Sequence, residues 1–328
     1  MPYPNAWEED DVMNGPTTQA ATGKALPLPR YKAFLALSRT PHGIIDMATP
    51  CFAALVWLGG FPPLWVTVLG LVTAFSGYTA VYALNDVVDF HQDRKKIAMV
   101  ETSPSHGDID GVWVRHPLAQ GILSYSSGVL WVAAWSSLAM TGAWILNPIC
   151  LLIFLTGCLL EILYCRMLTV SHYRILISGM VKTLGAIAAV FAVDPEPSIL
   201  FVVLLFLFLY FWEMGAQNIP NDWSDIREDR VVGAKTVPVE LGTHRSALLI
   251  VGCVLTTLLL NTLVFLSSRA VYGQTTLLAA LAAGIFLLLI PALKLWNTQS
   301  DRDAMHLFNH GSHYPLALTV IVLIGMVF

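Results

Sequence analysis

Long apolar runs alternate with short polar connections along most of the chain. Nine runs have roughly the 20 residues a helix needs to cross a bilayer core. They fall at about 42–60, 62–84, 123–143, 147–165, 175–193, 197–217, 246–266, 275–296 and 313–328. A segment before the first, 31–39, is suited to lie along the interface. The pattern predicts an all-α, polytopic membrane bundle of about nine transmembrane helices.

Two of the polar connections carry acids in a repeated arrangement. The second run ends in Asn85-Asp86-Val87-Val88-Asp89-Phe90-His91-Gln92-Asp93, and the sixth in Asn221-Asp222-Trp223-Ser224-Asp225-Ile226-Arg227-Glu228-Asp229. Asn85, Asp89 and Asp93 recur at four-residue spacing, as do Asn221, Asp225 and Asp229, so each set is predicted to line one face of a helix. Carboxylates this close repel unless a cation or a proton intervenes. An all-oxygen donor set favours magnesium over zinc. Bases follow both stretches: Arg94-Lys95-Lys96 after the first, Arg230 and then Lys235 after the second. Acids that hold magnesium and bases that neutralise phosphate oxygens are the two parts a diphosphate site needs. A metal on the diphosphate also absorbs the charge that develops as it leaves. With an apolar bundle beneath to house a hydrocarbon tail, the pattern points to an enzyme that ionises a lipid diphosphate.

Composition supports the membrane assignment. Of the 328 residues 56% are hydrophobic and 12% charged, against about 25% charged in soluble domains. The mean hydropathy is +0.65. The net charge of -4 says little, because the charges are placed so unevenly. Nucleic acid is not an expected partner. The five cysteines form no CxxC pair and read as small core residues. Residues 1–30 are polar, with Glu8-Glu9-Asp10-Asp11, and are expected to form a disordered cytoplasmic tail ahead of one membrane domain at 31–328. No signal peptide is expected. Placing the N-terminus in the cytoplasm puts the basic residues inside, except Arg269 in an outer loop and Lys182 within the fifth span. Both acidic stretches then face the cytoplasm.

NDVVDFHQD followed by RKK resembles the first aspartate-rich motif of the UbiA superfamily of intramembrane prenyltransferases. NDWSDIREDRVVGAKTVPVELG resembles the second. Arg115-His116-Pro117-Leu118-Ala119-Gln120-Gly121 is similar to the R-P-L-x-x-G stretch before that family's third helix. The resemblance covers about 42 to the C-terminus. It implies helices around a central cavity, with two magnesium ions bridging motif carboxylates to an isoprenyl diphosphate. It implies Asn85, Asp89, Asp93, Asn221, Asp225 and Asp229 as metal ligands, the four aspartates being catalytic. Lys235 would contact the diphosphate, with Arg94 and Arg230 as helpers and Tyr164 at the end of the fourth span. The acceptor expected for such an enzyme is an aromatic quinone precursor.

The chain departs from that pattern in an insert at 97–114, whose turn cluster and apolar edge suit it to close over bound diphosphate as a lid. Two rival functions use the same features. A terpene cyclase would ionise the diphosphate without an acceptor. A transporter would also carry intramembrane charge, but the acids cluster at the surface rather than the midplane, and no Gly/Pro-interrupted pair of spans is expected. Lys182 is an intramembrane cation and by default a functional candidate; Glu161 or Glu213 would serve as its ion-pair partner. Asp46, early in the first span, faces either the acceptor or water.

Overall fold

The computed structural model describes residues 28–99, 109–110 and 112–327. Most of the expected N-terminal tail and the middle of the 97–114 insert lie outside these residues. Among the described residues every regular element is helical.

The first expected span is divided. After α1 (Arg30–Leu37) come α2 (Thr40–Asp46) and α3 (Ala48–Leu58). Pro50 lacks the N–H that would bond the Asp46 carbonyl, so the helix breaks at Met47 between them. The next two are α4 (Leu64–Val88) and α5 (Phe90–Met99), followed by the membrane-length α6 (Tyr125–Leu146), α7 (Pro148–Arg166) and α8 (Arg174–Val193). Side-chain caps start several of them. Ser124 Oγ accepts from the Ser127 amide, and Asn147 Oδ1 accepts from the Ile149 amide ahead of Pro148 at the first helical position.

The second half contains α9 (Ile199–Trp212), α10 (Ile219–Ser224), α11 (Ile226–Val232), α12 (Val237–Ser267), α13 (Gln274–Gly284), α14 (Ile290–Thr298) and α15 (Asp301–Gly325). A π-helical turn, Glu213–Asn218, joins α9 to α10, and a second, Ile285–Leu289, joins α13 to α14. Each is followed closely by a proline, Pro220 and Pro291. A proline cannot bond the carbonyl four residues back, so the ladder opens ahead of it. At the first turn the Ala216 carbonyl accepts instead from Gln217 Nε2 at 2.9 Å.

Among the described residues, eight helices are long and apolar enough to span a membrane, and the α2–α3 pair takes the place of the ninth. Three expectations are corrected. The first span is broken rather than continuous. The last helix starts at Asp301, so the polar segment 301–312 belongs to it rather than to the connection before the expected span at 313–328. Spans six and eight are both interrupted ahead of a proline, so the absence of such spans cannot be held against a transporter.

Packing divides the bundle into a filled side and a hollow side. Trp212, Trp223, Tyr314, Phe52, Phe201 and Phe208 are fully buried and fill the centre of the α3, α9, α12 and α15 side. On the other side α4 packs on α6 and α7, and α8 on α3, α7 and α9. A cavity of about 580 Å³ remains between α3, α4, α7 and α8, opening beside both acidic stretches. Its inner wall is apolar and small, with Ala74, Gly77, Ala139, Gly157, Gly185 and Ala188 among its lining.

Candidate active site

Each acidic stretch crosses a helix joint. Asn85 lies in the last turn of α4, Asp89 is the joint (φ -87°, ψ 2°), and Asp93 lies in the first turn of α5. Likewise Asn221 is in α10, Asp225 is the joint (φ -101°, ψ 9°), and Asp229 is in α11. The expected single helix face is therefore corrected to two half-faces meeting at a bend. All six side chains still line the one cavity, which the repeated geometry approaches from two sides.

Basic side chains tie the two stretches together. Lys96, from the helix that carries Asp93, meets Asp229 at 2.8 Å. Arg115 meets Asp225 at 3.0 Å, and its neighbour His116 meets Asp93 at 2.9 Å and Asp86 at 3.3 Å. Arg39 donates to Asn85 Oδ1 at 3.2 Å and lies 3.7 Å from Asp86. Arg39 (φ 43°) and His116 (φ 51°) both hold left-handed backbone that non-glycine residues seldom adopt. Strain of this kind persists where surrounding contacts over-determine it, and here both residues converge on Asp86.

The electrostatics follow from burial and these partners. Burial opposes charge on His116, but Asp93 and Asp86 outweigh it and push its pKa up to about 10. Burial would raise Asp93 and Asp225; His116 on one, and Arg115 with Lys96 on the other, reverse the sign and hold both below the ordinary carboxylate range. Asp89 lacks so close a cation, and burial followed by repulsion from Asp93 pushes it up to about 6.

Arg174, at the start of α8, is buried with its guanidinium 3.9 Å over the Tyr164 ring, and its Nε has no hydrogen-bond partner among the described residues. It faces the cavity within electrostatic reach of Asp222, Asp89 and Asp229. The Tyr164 hydroxyl accepts from Asn218 Nδ2 at 2.9 Å.

Of the residues expected from sequence, the six motif positions and Tyr164 come together at the cavity. Arg94, Arg230 and Lys235 do not; all three side chains are exposed. The Lys235 backbone N–H bonds the Leu168 carbonyl at 2.7 Å. Lys182 pairs with Asp46 at 2.6 Å and donates to the Tyr82 hydroxyl at 3.0 Å, which corrects the expected partners Glu161 and Glu213 and gives Asp46 its role. The sequence reading missed Asp86 and Asp222. Both are buried at the cavity. Their signal is the Asn-Asp pair repeated in both stretches, which a four-residue spacing passes over.

Residues 47–313 match the UbiA prenyltransferase family. The chain belongs to the UbiA prenyltransferase family. Among UbiA relatives, the digeranylgeranylglyceryl phosphate synthase of Thermococcus kodakarensis is 24% identical over 222 residues, 66% of this chain and 72% of that one. An apo UbiA homologue from Aeropyrum pernix superposes with a TM-score of 0.68 at 18% identity, over 87% of this chain and 97% of that one. A UbiA homologue from Archaeoglobus fulgidus bound to DMAPP and Mg2+ superposes with a TM-score of 0.64 at 18% identity, over 89% and 99%. The UbiA fold is shared over nearly all of the described chain.

The donors fit a hard divalent cation. All six motif positions offer oxygen, and Asn221 Oδ1 is buried without a partner among the described residues. Asp86, Asp93 and His116 place ligand atoms within 4.8 Å of one another. Unlike-charged side chains already crowd the carboxylates, as expected where acids are assembled for a cation.

Proposed function

We propose that this multi-pass prenyltransferase moves an isoprenyl group from an isoprenyl diphosphate to an aromatic acceptor of the quinone-precursor type, in a cavity that opens to the cytoplasm. The observation that carries the reading is the meeting of two acid-and-base clusters over a single apolar cavity. Magnesium, held by Asn85, Asp89, Asp93, Asn221, Asp225 and Asp229, would supply the charge that makes the diphosphate a good leaving group. Arg174, the cation at the cavity with no ion pair among the described residues, binds the diphosphate oxygens. Lys96 and Arg115 hold Asp229 and Asp225 in place from the opposite stretch and from the connection before α6. The small side chains of the inner wall leave a slot for the hydrocarbon tail and keep water from the allylic cation. Tyr78, Tyr82 and Tyr164 line the same space, aromatic groups of a kind that stabilise a cation. The distribution of Lys and Arg supports the cytoplasmic orientation.

The test is turnover of purified protein with isoprenyl diphosphates of several lengths and an aromatic acceptor panel, with product mass measured. Asp89→Asn and Asp225→Asn are each expected to reduce magnesium-dependent diphosphate release at least about 100-fold. Full release in excess chelator, or near-normal release by both variants, would refute the reading.

A further inference from the structure

Deep to the aspartates, the cavity carries a second polar wall that ionising a diphosphate does not use. Glu213, in the π turn, lines the cavity with its side chain buried. Its Oε1 accepts from Ser178 Oγ at 2.8 Å, while Oε2 has no hydrogen-bond partner among the described residues. Asn218, one turn on, spends its amide hydrogens on Tyr164 and Ser178, and its Oδ1 is likewise unpartnered. The Tyr78 hydroxyl, also at the cavity, is buried and likewise has no hydrogen-bond partner among the described residues. Two of the three can only accept, and the third can do so. Leaving such atoms unpaired costs about 1–3 kcal/mol each, so a wall of them marks a place for a donor.

Nearby cations are already matched. Lys182 is held by Asp46 at 2.6 Å and by the Tyr82 hydroxyl at 3.0 Å. Arg39 is held by Asp110 at 3.2 Å and His42 by Asp110 at 2.5 Å. With Arg174 taken by the diphosphate, an anionic acceptor would meet the Glu213 carboxylate and find Lys182, Arg39 and His42 already paired.

Building on the prenyl-transfer reading, we infer that the acceptor is an uncharged phenol or hydroquinone whose hydroxyl donates to Glu213, and that Glu213 takes its proton. The carbon–oxygen bond to diphosphate breaks with its electron pair leaving on the diphosphate. The ring carbon beside the acceptor hydroxyl forms the new carbon–carbon bond as the hydroxyl proton passes to Glu213 Oε2. The dienone so formed loses its ring hydrogen as a proton and regains one on oxygen from Glu213. One proton and one diphosphate are released, and the carboxylate is restored. The site therefore selects against carboxylated phenols and against glycerol phosphates.

The test uses full-length protein in lipid nanodiscs with magnesium and geranyl, farnesyl or geranylgeranyl diphosphate. Released diphosphate and prenylated product are followed separately with 1,4-dihydroxynaphthalene, 4-hydroxybenzoate or glycerol 1-phosphate as acceptor. The uncharged hydroquinone is expected to be favoured at least about 100-fold in kcat/KM, the scale of about 2.7 kcal/mol. Glu213→Gln is expected to keep diphosphate release, yielding prenyl alcohol, while transfer falls about 100-fold or more, the usual contribution of a general base. The acceptor panel on the unaltered protein stands even where that variant fails to fold. Equal or better use of either anionic acceptor, release of diphosphate with no prenylated hydroquinone, or wild-type transfer by a folded Glu213→Gln overturns the inference. No diphosphate release with any acceptor would instead sink the prenyl-transfer reading itself, and this inference with it.

Discussion

Replacing Lys182 by Met tests whether the ion pair inside the bundle holds the structure together. Asp46 is 1% exposed at its side chain and Lys182 15%. Met preserves most of the lysine's length and volume, so the perturbation is mainly the loss of charge and of two hydrogen bonds, to Asp46 and to the Tyr82 hydroxyl. Removing one member of a buried pair costs about 3–5 kcal/mol, because the other is left uncompensated. The lower end applies here. Tyr82 also donates to Asp46, and His42 Nε2 stands 3.5 Å from its other oxygen. A loss of about 3 kcal/mol corresponds to a fall of roughly 4 °C in Tm for a chain of this size. Thermal unfolding in detergent at neutral pH measures it. Combining Lys182→Met with Asp46→Asn removes both charges, and the double variant is expected to recover about 2 kcal/mol relative to additivity. A single variant melting with the wild type, or strictly additive effects, would show that the pair contributes nothing and that Lys182 is free to meet an acceptor.

Arg174→Gln is expected to raise KM for the isoprenyl diphosphate about 10- to 100-fold, the worth of a lost charge-assisted hydrogen bond; an unchanged KM would remove Arg174 from the diphosphate site. Gly311→Ala would place a methyl 2.6 Å from the Ala216 carbonyl and from Gln217 Nε2. Because one neighbour is backbone, a loss of about 1–3 kcal/mol in thermal stability is expected, and a neutral substitution would show the π turn to be soft. Cysteines placed at the exposed positions Arg94 and Arg230 are expected to react with an impermeant reagent from the cytoplasmic side only; labelling from outside would invert the orientation.

The bundle was legible because membrane spans are set by composition over about 20 residues, a signal that tolerates error at the ends. Breaks inside the spans were less so. Pro50, Pro220 and Pro291 were visible, but whether a proline stops a helix, bends it or loosens one turn depends on what its neighbours can bond. The six motif positions were found from their repeat. Arg174 was hidden, because a single arginine at a span end usually marks orientation; only folding sets it over Tyr164 between the two stretches. The exposed Arg94, Arg230 and Lys235 drew attention through closeness in sequence, while Arg39, Arg115 and His116 reach the carboxylates from other elements. Lys182 was recognised as unusual, yet its partner lay in another span that no spacing rule connects to it.

The π turn at Glu213–Asn218 sets a rotational phase. A straight α-helix advances about 100° per residue, so Glu213 and Asn221 would point about 80° apart. One extra residue taken up in the turn reduces that offset to about 20°. The wall that contains Glu213 and the stretch that begins at Asn221 thereby share one azimuth and look into one cavity. The span is therefore sensitive to whether that turn stays open, in a way its composition does not reveal. Closing the turn as α-helix with every residue kept would swing one group of side chains about 100° relative to the other, whereas removing one residue as it closes would keep them in phase.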